Sequence, residues 1–379
     1  MDRRDFLKAC GKAGLAVGAG QFLSQPIAGK LFAQAAPGAG PLLIQLKGSP
    51  REMGKQYAQQ AQDLIKERLK LFREKGSKVP AESVEWSRVF LSVMANSILV
   101  EVESMAAELG EKEEDMLTLS AEPPGAGIRV GGCSSFILDR SVVKDDRVWM
   151  GQNVDDASEL EKFGVIVIRR PLDGPPMITW ALAGSVGGIG MNMNGLALLM
   201  NYVQTAEVKQ QSAIFPEYIA NAALRQKAFK DMIGVLTDTQ VMTPVTYLAA
   251  GKEGDRIVVE RTPLRYAGWT PPQKFAAYTN HFVEEVMRGE DTTAKTFPDS
   301  KARLKRLETL LLNKKGVEGP DFLKTVLSDV EGNPNGISRH ANPPTIASII
   351  MCPKDNVMLA TKGAPDRAKY GEFVLTAKE

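Results

Sequence analysis

A cysteine deep in the sequence follows two glycines and precedes residues that favour a β-strand, in Gly131-Gly132-Cys133-Ser134-Ser135-Phe136-Ile137. The motifs that follow it are Gly151-Gln152-Asn153-Val154-Asp155, Asn201, Thr279-Asn280-His281-Phe282 and Ser338-Arg339-His340. An amino-terminal cysteine carries nucleophile and base together, because its α-amino group titrates at about 8 and accepts the thiol proton directly or through water. In this order the motifs predict an enzyme that cuts itself before Cys133. No separate catalytic histidine is then required.

Other interpretations of the thiols and histidines remain open. A cysteine that opens a strand is more often a buried packing residue, although the accompanying motifs favour a nucleophile. His281 or His340 would give a papain-like pair with Cys133, but no papain-type sequence surrounds the cysteine, so both histidines are interpreted as structural neighbours of the site. Cys352 lies in a strand-like run and is interpreted as a buried, inert thiol, although one disulfide between Cys133 and Cys352 is permitted in an oxidising compartment.

The first residues indicate export. Asp2-Arg3-Arg4-Asp5-Phe6-Leu7-Lys8 is a twin-arginine pattern, and the glycine- and alanine-rich run after it is too polar and short for a stable membrane span. Ala33-Gln34-Ala35 fits the small-x-small cleavage rule. We therefore expect residues 1–35 to be a signal peptide, the twin-arginine export machinery to be a partner, and the mature protein to be periplasmic or secreted.

Composition argues against several classes of ligand. The formal net charge of +2 gives no support for a nucleic-acid partner. The chain has 2 histidines and neither a Cys-x-x-Cys nor a His-Glu-x-x-His motif, so we expect no metal site and no cofactor. The glycine-rich 184–190 segment fits neither the Rossmann nor the Walker spacing, and is interpreted as a tight joint between strands.

Hydrophobic periodicity divides the chain into an all-helical first part and a strand-rich second part. Helices are predicted over 50–76, 81–109 and 112–119, and later over 215–236, 300–313 and 320–330. Strands are predicted over 133–138, 148–153, 163–169, 177–182, 196–202, 245–250, 256–261, 347–352 and 357–361. Because many of these strands form adjacent hairpins, an α+β fold with antiparallel sheets layered with helices is expected, and 36–379 is long enough for one globular unit.

In order and spacing, these motifs resemble the cysteine amino-terminal-nucleophile (Ntn) hydrolases of the acyl-coenzyme A:6-aminopenicillanic acid acyltransferase (isopenicillin N acyltransferase-like) family. The resemblance covers nearly all of the chain after residue 35, including Gly48-Ser49-Pro50-Arg51-Glu52-Met53-Gly54 and Asn194-Gly195-Leu196-Ala197. It implies a four-layer αββα fold with two antiparallel sheets between helical layers. It also implies a zymogen that cleaves between Gly132 and Cys133 into a helical α chain, 36–132, and a β chain, 133–379, which stay partners.

The resemblance assigns roles to the central residues. Cys133 attacks an amide or thioester carbonyl, and its amine passes the proton to the leaving group. Asp155 accepts a hydrogen bond from that ammonium group. Asn280 and Asn201 donate hydrogen bonds to the tetrahedral oxyanion. Before cleavage, the same thiol attacks the carbonyl carbon of Gly132, which carries no side chain that would block the attack.

Two further residues are implied, and two positions depart from the pattern. Arg339 lies near the nucleophile and favours the thiolate, and Ser338 is a supporting hydrogen-bond group. Relatives often have tryptophan where this chain has Val154 and Asp156, so a different pocket and substrate are expected.

Two classes of function follow. The first is a hydrolase of linear amide C–N bonds in small N-acyl amides or peptides, or an acyltransferase on the same bonds. Hydrolysis is preferred because acyl-coenzyme A is not expected outside the cytoplasm. The alternative is a non-catalytic periplasmic binding protein that keeps the fold, against which the intact set of site residues argues.

Overall fold

The computed structural model describes residues 40–76, 81–121, 132–205, 213–289, 292, 298–341 and 343–376. The predicted signal peptide and Gly131 lie outside these residues. Within the described ranges, no helix is both long and apolar enough to span a membrane.

The part of the chain before Cys133 is one strand followed by helices: β1 (Leu42–Gly48), α1 (Pro50–Lys75), α2 (Ala81–Met94), α3 (Asn96–Leu109) and α4 (Glu113–Ala121). Ser49 starts α1 with a capping box, in which its side chain accepts from the Glu52 N–H and the Glu52 carboxylate accepts from the Ser49 N–H. The all-helical interpretation missed β1. The helix predicted over 81–109 is broken at Ala95, whose backbone is not helical.

An eight-stranded sheet has the order β1-β4-β5-β6-β7-β8-β9-β10. Its other strands are β4 (Gly164–Pro171), β5 (Met177–Leu182), β6 (Ile189–Asn192), β7 (Leu196–Tyr202), β8 (Val245–Gly251), β9 (Arg256–Arg261) and β10 (Tyr266–Trp269), with a 3-10 helix at Ser158–Phe163. Neighbouring strands are antiparallel, except that β1 runs parallel to β4 at the edge.

A second, six-stranded sheet is antiparallel throughout and has the order β11-β2-β3-β12-β13-β14. Its strands are β2 (Gly132–Leu138), β3 (Trp149–Asp155), β11 (Phe275–Tyr278), β12 (Thr345–Cys352), β13 (Val357–Ala360) and β14 (Gly371–Val374). The remaining helices of the described residues are α5 (Pro216–Leu224), α6 (Phe229–Asp238), α7 (Glu285–Arg288), α8 (Ser300–Leu311) and α9 (Gly319–Leu327).

The elements form four layers. On the outer face of the eight-stranded sheet, α1 packs on β1 and β4, and α5 and α6 pack on β7 and β8. On the outer face of the other sheet, α8 packs on β2 and β11, and α9 packs on β3 and β12, around Phe136, Leu307, Leu327 and Ile350. The sheets face each other through β2, β3, β7 and β8. The predicted αββα fold is confirmed.

Strand alternation directs the residues of β2 to two different layers. Ser135 faces the eight-stranded sheet, where its hydroxyl donates to Asn201 Oδ1 on β7 at 2.6 Å. Ser134 faces the helices, and its hydroxyl accepts from Arg303 on α8 at 3.0 Å. Cys133 shares the face of Ser135, so its side chain is directed between the sheets.

Candidate active site

Cys133 opens onto a small cleft between the sheets. The cleft has a volume of about 30 Å³, and its walls are Cys133, Gln152, Val154, Trp180, Ala181, Ser185, Gly187, Gly188, Ile189, Met200 and Glu217. Most of these groups are apolar or lack a side chain, and Cys133 itself is only 3% exposed. A mostly apolar lining with a few polar groups is typical of small-molecule sites, although in the uncut chain the space beside Cys133 holds little more than one water molecule.

The backbone of Cys133 is held by Asn280 and Arg303. The Cys133 N–H donates to Asn280 Oδ1 at 3.0 Å, and the Cys133 carbonyl oxygen accepts from an Arg303 guanidinium nitrogen at 2.7 Å. The other terminal nitrogen of Arg303 donates to the same Asn280 oxygen at 2.9 Å. Cys133, Asn280 and Arg303 therefore form a closed ring of hydrogen bonds around the start of β2.

Asp155 lies opposite Gly132 in the β2–β3 register. Its Oδ1 accepts from the Thr345 hydroxyl at 2.6 Å, while its buried Oδ2 has no hydrogen-bond partner among the described residues. A Cβ added to Gly132 would lie 3.1 Å from that Oδ2, so the unpartnered oxygen faces the residue before the predicted cut. Burial raises the pKa of Asp155 to about 6, against the lowering effects of Arg303 and Thr345.

The two predicted oxyanion donors have different surroundings. Asn280 directs its oxygen toward Cys133 and Arg303, and its Nδ2 donates to the Tyr202 carbonyl at 2.9 Å. Asn201 is fully buried, its Oδ1 is occupied by Ser135, and its Nδ2 has no partner within the described part of the chain. The structure therefore contains an unused buried amide donor on β7.

Arg303 and Asp299 were not singled out in the sequence. Asp299 Oδ2 accepts from Arg303 Nε at 2.7 Å and from Arg339, so it joins the two arginines. Burial alone would raise the pKa of Asp299, but these two arginines hold it below its usual range. An Asp and an Arg four residues apart usually form a solvated helix pair, so the sequence carried little signal for either residue.

Arg339 reaches the site through its partners, whereas Ser338 belongs to a different network. Arg339 donates to the Pro343 carbonyl at 2.8 Å and to Asp299. The hydroxyl of Ser338 donates to Asp366, and so does not support Asp155 or Cys133 directly. The structure thus brings Arg339, Asp155, Asn280 and Cys133 together and places the Ser338 side chain at the 364–367 turn.

The histidines have partners of their own. His281 Nδ1 lies 2.8 Å from Ser300 Oγ, and His340 Nε2 lies 3.0 Å from both oxygens of Asp366. These contacts agree with their interpretation as structural neighbours. Cys352 is a free, buried thiol as expected, and burial raises its pKa to about 12.

Comparison with solved structures gives distant similarity. An N-acylethanolamine-hydrolyzing acid amidase orthologue of Caenorhabditis elegans is 16% identical over 64% of this chain and 100% of that chain, with a TM-score of 0.45. A mutant of the conjugated bile acid hydrolase of Clostridium perfringens is 12% identical over 65% and 98%, with a TM-score of 0.41. Penicillin V acylase of Agrobacterium tumefaciens is 12% identical over 61% and 83%, with a TM-score of 0.42.

The sequence itself gives the family. Among curated proteins, none matches the chain. The profile of the acyl-coenzyme A:6-aminopenicillanic acid acyl-transferase family matches residues 142–367, which is more than half of the chain. That segment begins after Cys133 and contains Asp155, Asn201, Asn280 and Arg339. The chain therefore belongs to the acyl-coenzyme A:6-aminopenicillanic acid acyl-transferase family.

Proposed function

We propose that the chain is an amide hydrolase that cuts itself before Cys133 and then uses that residue on linear amide bonds of N-acyl substrates. One observation carries the proposal: the Gly132–Cys133 junction lies beside the unpartnered Oδ2 of Asp155, at the end of an apolar cleft. An amine released there would find a carboxylate oxygen within reach. A merely structural cysteine would not need such an oxygen.

Self-processing at this junction is the first reaction that we propose. The Cys133 thiolate attacks the Gly132 carbonyl carbon, the C–N bond breaks, and the Cys133 nitrogen takes up a proton, which leaves a thioester. Water then attacks the thioester and gives a Gly132 carboxylate and a Cys133 with free thiol and amine. The ring of hydrogen bonds through Asn280 and Arg303 fixes both the N–H and the carbonyl of Cys133 for this sequence.

Turnover repeats the chemistry on an external amide. The thiolate attacks the substrate carbonyl, the α-amino group supplies the proton to the departing amine, and water hydrolyses the acyl-enzyme. The unused Nδ2 of Asn201 and the Nδ2 of Asn280 are the donors we assign to the oxyanion. The apolar walls of the cleft favour an apolar acyl group.

We further propose that the enzyme acts after twin-arginine export, which the Arg3-Arg4 pair and Ala33-Gln34-Ala35 support. Hydrolysis is then preferred to transfer from acyl-coenzyme A, because that acyl donor is not expected outside the cytoplasm. Fractionation of cells that express a chain with both arginines replaced by lysine tests the route, because periplasmic delivery of that variant would contradict it.

The processing prediction is tested with purified protein. Wild type should give two pieces on a denaturing gel, with Cys133 as the new amino terminus by sequencing, and should hydrolyse at least one member of a panel of N-acyl amino acids, small peptides and penicillins. Cys133→Ala should stay uncut and inactive, because the nucleophile is gone. Cys352→Ala is the matched control and should be cut and active, since that thiol lies buried on β12. An active, uncut wild-type chain would refute the mechanism.

A further inference from the structure

The turn after β5 forms part of the cleft wall. Residues 182–185 include the end of β5 and the start of the glycine-rich 184–190 segment. Ala181, Ser185 and Gly187 line the cleft together with Cys133. Gly184 has a φ of +89°, a backbone conformation that favours glycine, so this residue has no side chain that could hold the turn in place. Its position must therefore be fixed by the groups that bind this backbone.

Those groups lie on α1 and α4, before the predicted cut. Arg68 on α1 donates to the Ala183 carbonyl at 2.6 Å, to the Leu182 carbonyl at 3.3 Å and to Ser185 Oγ at 3.1 Å. The same guanidinium donates to the Leu119 carbonyl of α4 at 3.1 Å, which ties the two helices to the turn. Arg68 is 4% exposed, so these bonds are made away from water, where leaving them unmade is costly.

Gly184 is held from the same side. Its N–H donates to the Tyr57 hydroxyl at 3.1 Å, and its carbonyl accepts from the Ser120 hydroxyl at 2.9 Å. A Cβ on Gly184 would lie 3.3 Å from both Ile65 and Leu119, so the turn also fits closely against these helices. Polar bonds and packing together leave the turn little freedom to move.

We propose that Arg68 is a positioning residue for the substrate, and that the helical segment before the cut stays part of the mature cleft and sets its size for the acyl group. This inference rests on the proposed function, since it assumes that an acyl group enters the cleft. Arg68 acts through the 182–185 turn. Loss of its bonds should displace Ser185 and Gly187 while Cys133, Asp155 and Asn280 keep their own partners.

The test compares Arg68→Gln with Arg73→Gln. Arg73 is on the same helix, but it makes exposed ion pairs with Glu111 and Asp115. For a substrate with a bulky apolar acyl group, Arg68→Gln should raise KM by about tenfold, the scale of one lost hydrogen bond to a charged group. Its kcat, and its kcat/KM for an acetyl substrate, should stay within about twofold, and Arg68→Lys should recover part of the loss. Arg73→Gln should match wild type. Equal losses of kcat for both substrates, or no change in KM, would overturn the inference.

Ser120→Ala covers the case in which Arg68→Gln does not fold. It removes the bond to the Gly184 carbonyl and the hydrogen bond with the Tyr218 side chain, and it should shift KM in the same direction by a smaller factor. The position of the turn can also be tested without turnover, through the access of reagents to Cys133. The rates of alkylation by iodoacetamide and by a bulky aromatic iodoacetamide are measured on the Cys133 peptide by mass spectrometry. The variants should change the ratio of the two rates. A changed ratio of the two rates in a protein that hydrolyses no amide would reject the proposed function and keep the positioning role of Arg68. An unchanged ratio in an active enzyme would reject the positioning role and keep the proposed function.

Discussion

At the scale of single residues, the guanidinium of Arg303 binds the start of β2, at Cys133 and Ser134, to its surroundings. It contacts the Cys133 carbonyl, the Ser134 hydroxyl, the Asn280 oxygen and Asp299. Because an arginine fork has fixed donor directions, it also fixes which end of the Asn280 amide points at Cys133. A lysine at this position keeps the charge but loses that fork.

We therefore expect Arg303→Lys to fold and to lose about a hundredfold in kcat and in the rate of self-processing, the scale of a misplaced reacting group. Arg306→Lys is the control three residues along α8, where the arginine pairs with Asp329 and Glu331. Burst kinetics and time courses of cleavage on gels measure both effects. Equal activities of the two variants would show that Arg303 is a packing residue only.

Asp155 gives the uncut precursor a pH dependence. Its folded-state pKa of about 6 lies above the usual 3.8, so the folded chain holds this proton more tightly than the unfolded chain. The charged carboxyl destabilises the fold above pH 6, and this penalty disappears as the pH falls toward 4. At about 1.4 kcal/mol per pKa unit, the full effect is about 3 kcal/mol.

In the uncut Cys133→Ala background, Asp155→Asn should therefore be more stable than its parent at pH 7, and the difference should shrink as the pH falls to about 4. Urea unfolding at several pH values measures the two free energies of unfolding. A difference that stays constant with pH, or grows as the pH falls, would contradict the buried, raised carboxyl.

At the scale of elements, α1 and α3 depend on a glycine where they cross. A Cβ on Gly54 would lie 2.3 Å from the Glu101 carbonyl oxygen and 2.8 Å from Ser104 Cβ, distances that force the helices apart. We expect Gly54→Ala to lower the free energy of unfolding by about 1–3 kcal/mol, the usual cost of overpacking. Gly234→Ala on α6, where the added Cβ meets only Asp238 at 4.0 Å, should instead be neutral or stabilising by about 0.5–1 kcal/mol. Thermal or urea unfolding of both variants measures these two changes in the free energy of unfolding.

Most of the strands that the sequence missed are short, although β1 with 7 residues was also missed and β13 with 4 residues was predicted. The strands around Cys133 and Asp155 were expected because their β-prone runs are bounded by polar connections. Strands β6, β10, β11 and β14 have only 4 residues each, too few for a period of two to be visible. The 81–109 and 215–236 helices were predicted whole because local pattern does not report a break such as the one at Ala95.

Some residues of the candidate site were predicted from the sequence and others were missed, because only some of them stand in recognisable motifs. Cys133, Asp155 and Asn280 stand in short motifs, and the structure places them in contact with one junction. Arg303 and Arg68 lie in amphipathic helices with other charged residues, and only the three-dimensional packing separates a buried guanidinium from a solvated one. The glycines after residue 183 were correctly interpreted as a joint, but their place in the cleft wall depends on contacts with α1 and α4.

At the scale of the whole molecule, the eight-stranded sheet draws its edge strand from before Cys133. Strand β1 pairs in parallel with β4 over seven residue pairs, from Leu42 with Val165 to Gly48 with Pro171, and every other strand of that sheet follows the predicted cut. In the mature protein this sheet would be shared by two polypeptides. If self-cleavage occurs as proposed, it needs the folded surroundings of Cys133, so β1 would already be paired with β4 when the chain is cut.

This shared sheet changes the molecularity of unfolding. The uncut Cys133→Ala chain unfolds and refolds as one molecule, so its Tm should not depend on protein concentration. In the cut protein the two chains separate on unfolding and must meet again to refold, so its Tm should rise with concentration. Calorimetry over a hundredfold range of concentration tests this, and an unchanging Tm for the cut form would show that its chains do not dissociate. If the chain is cut as proposed, self-cleavage would end the period in which the protein repairs itself after unfolding, because at low protein concentration the two separated chains would rarely meet again.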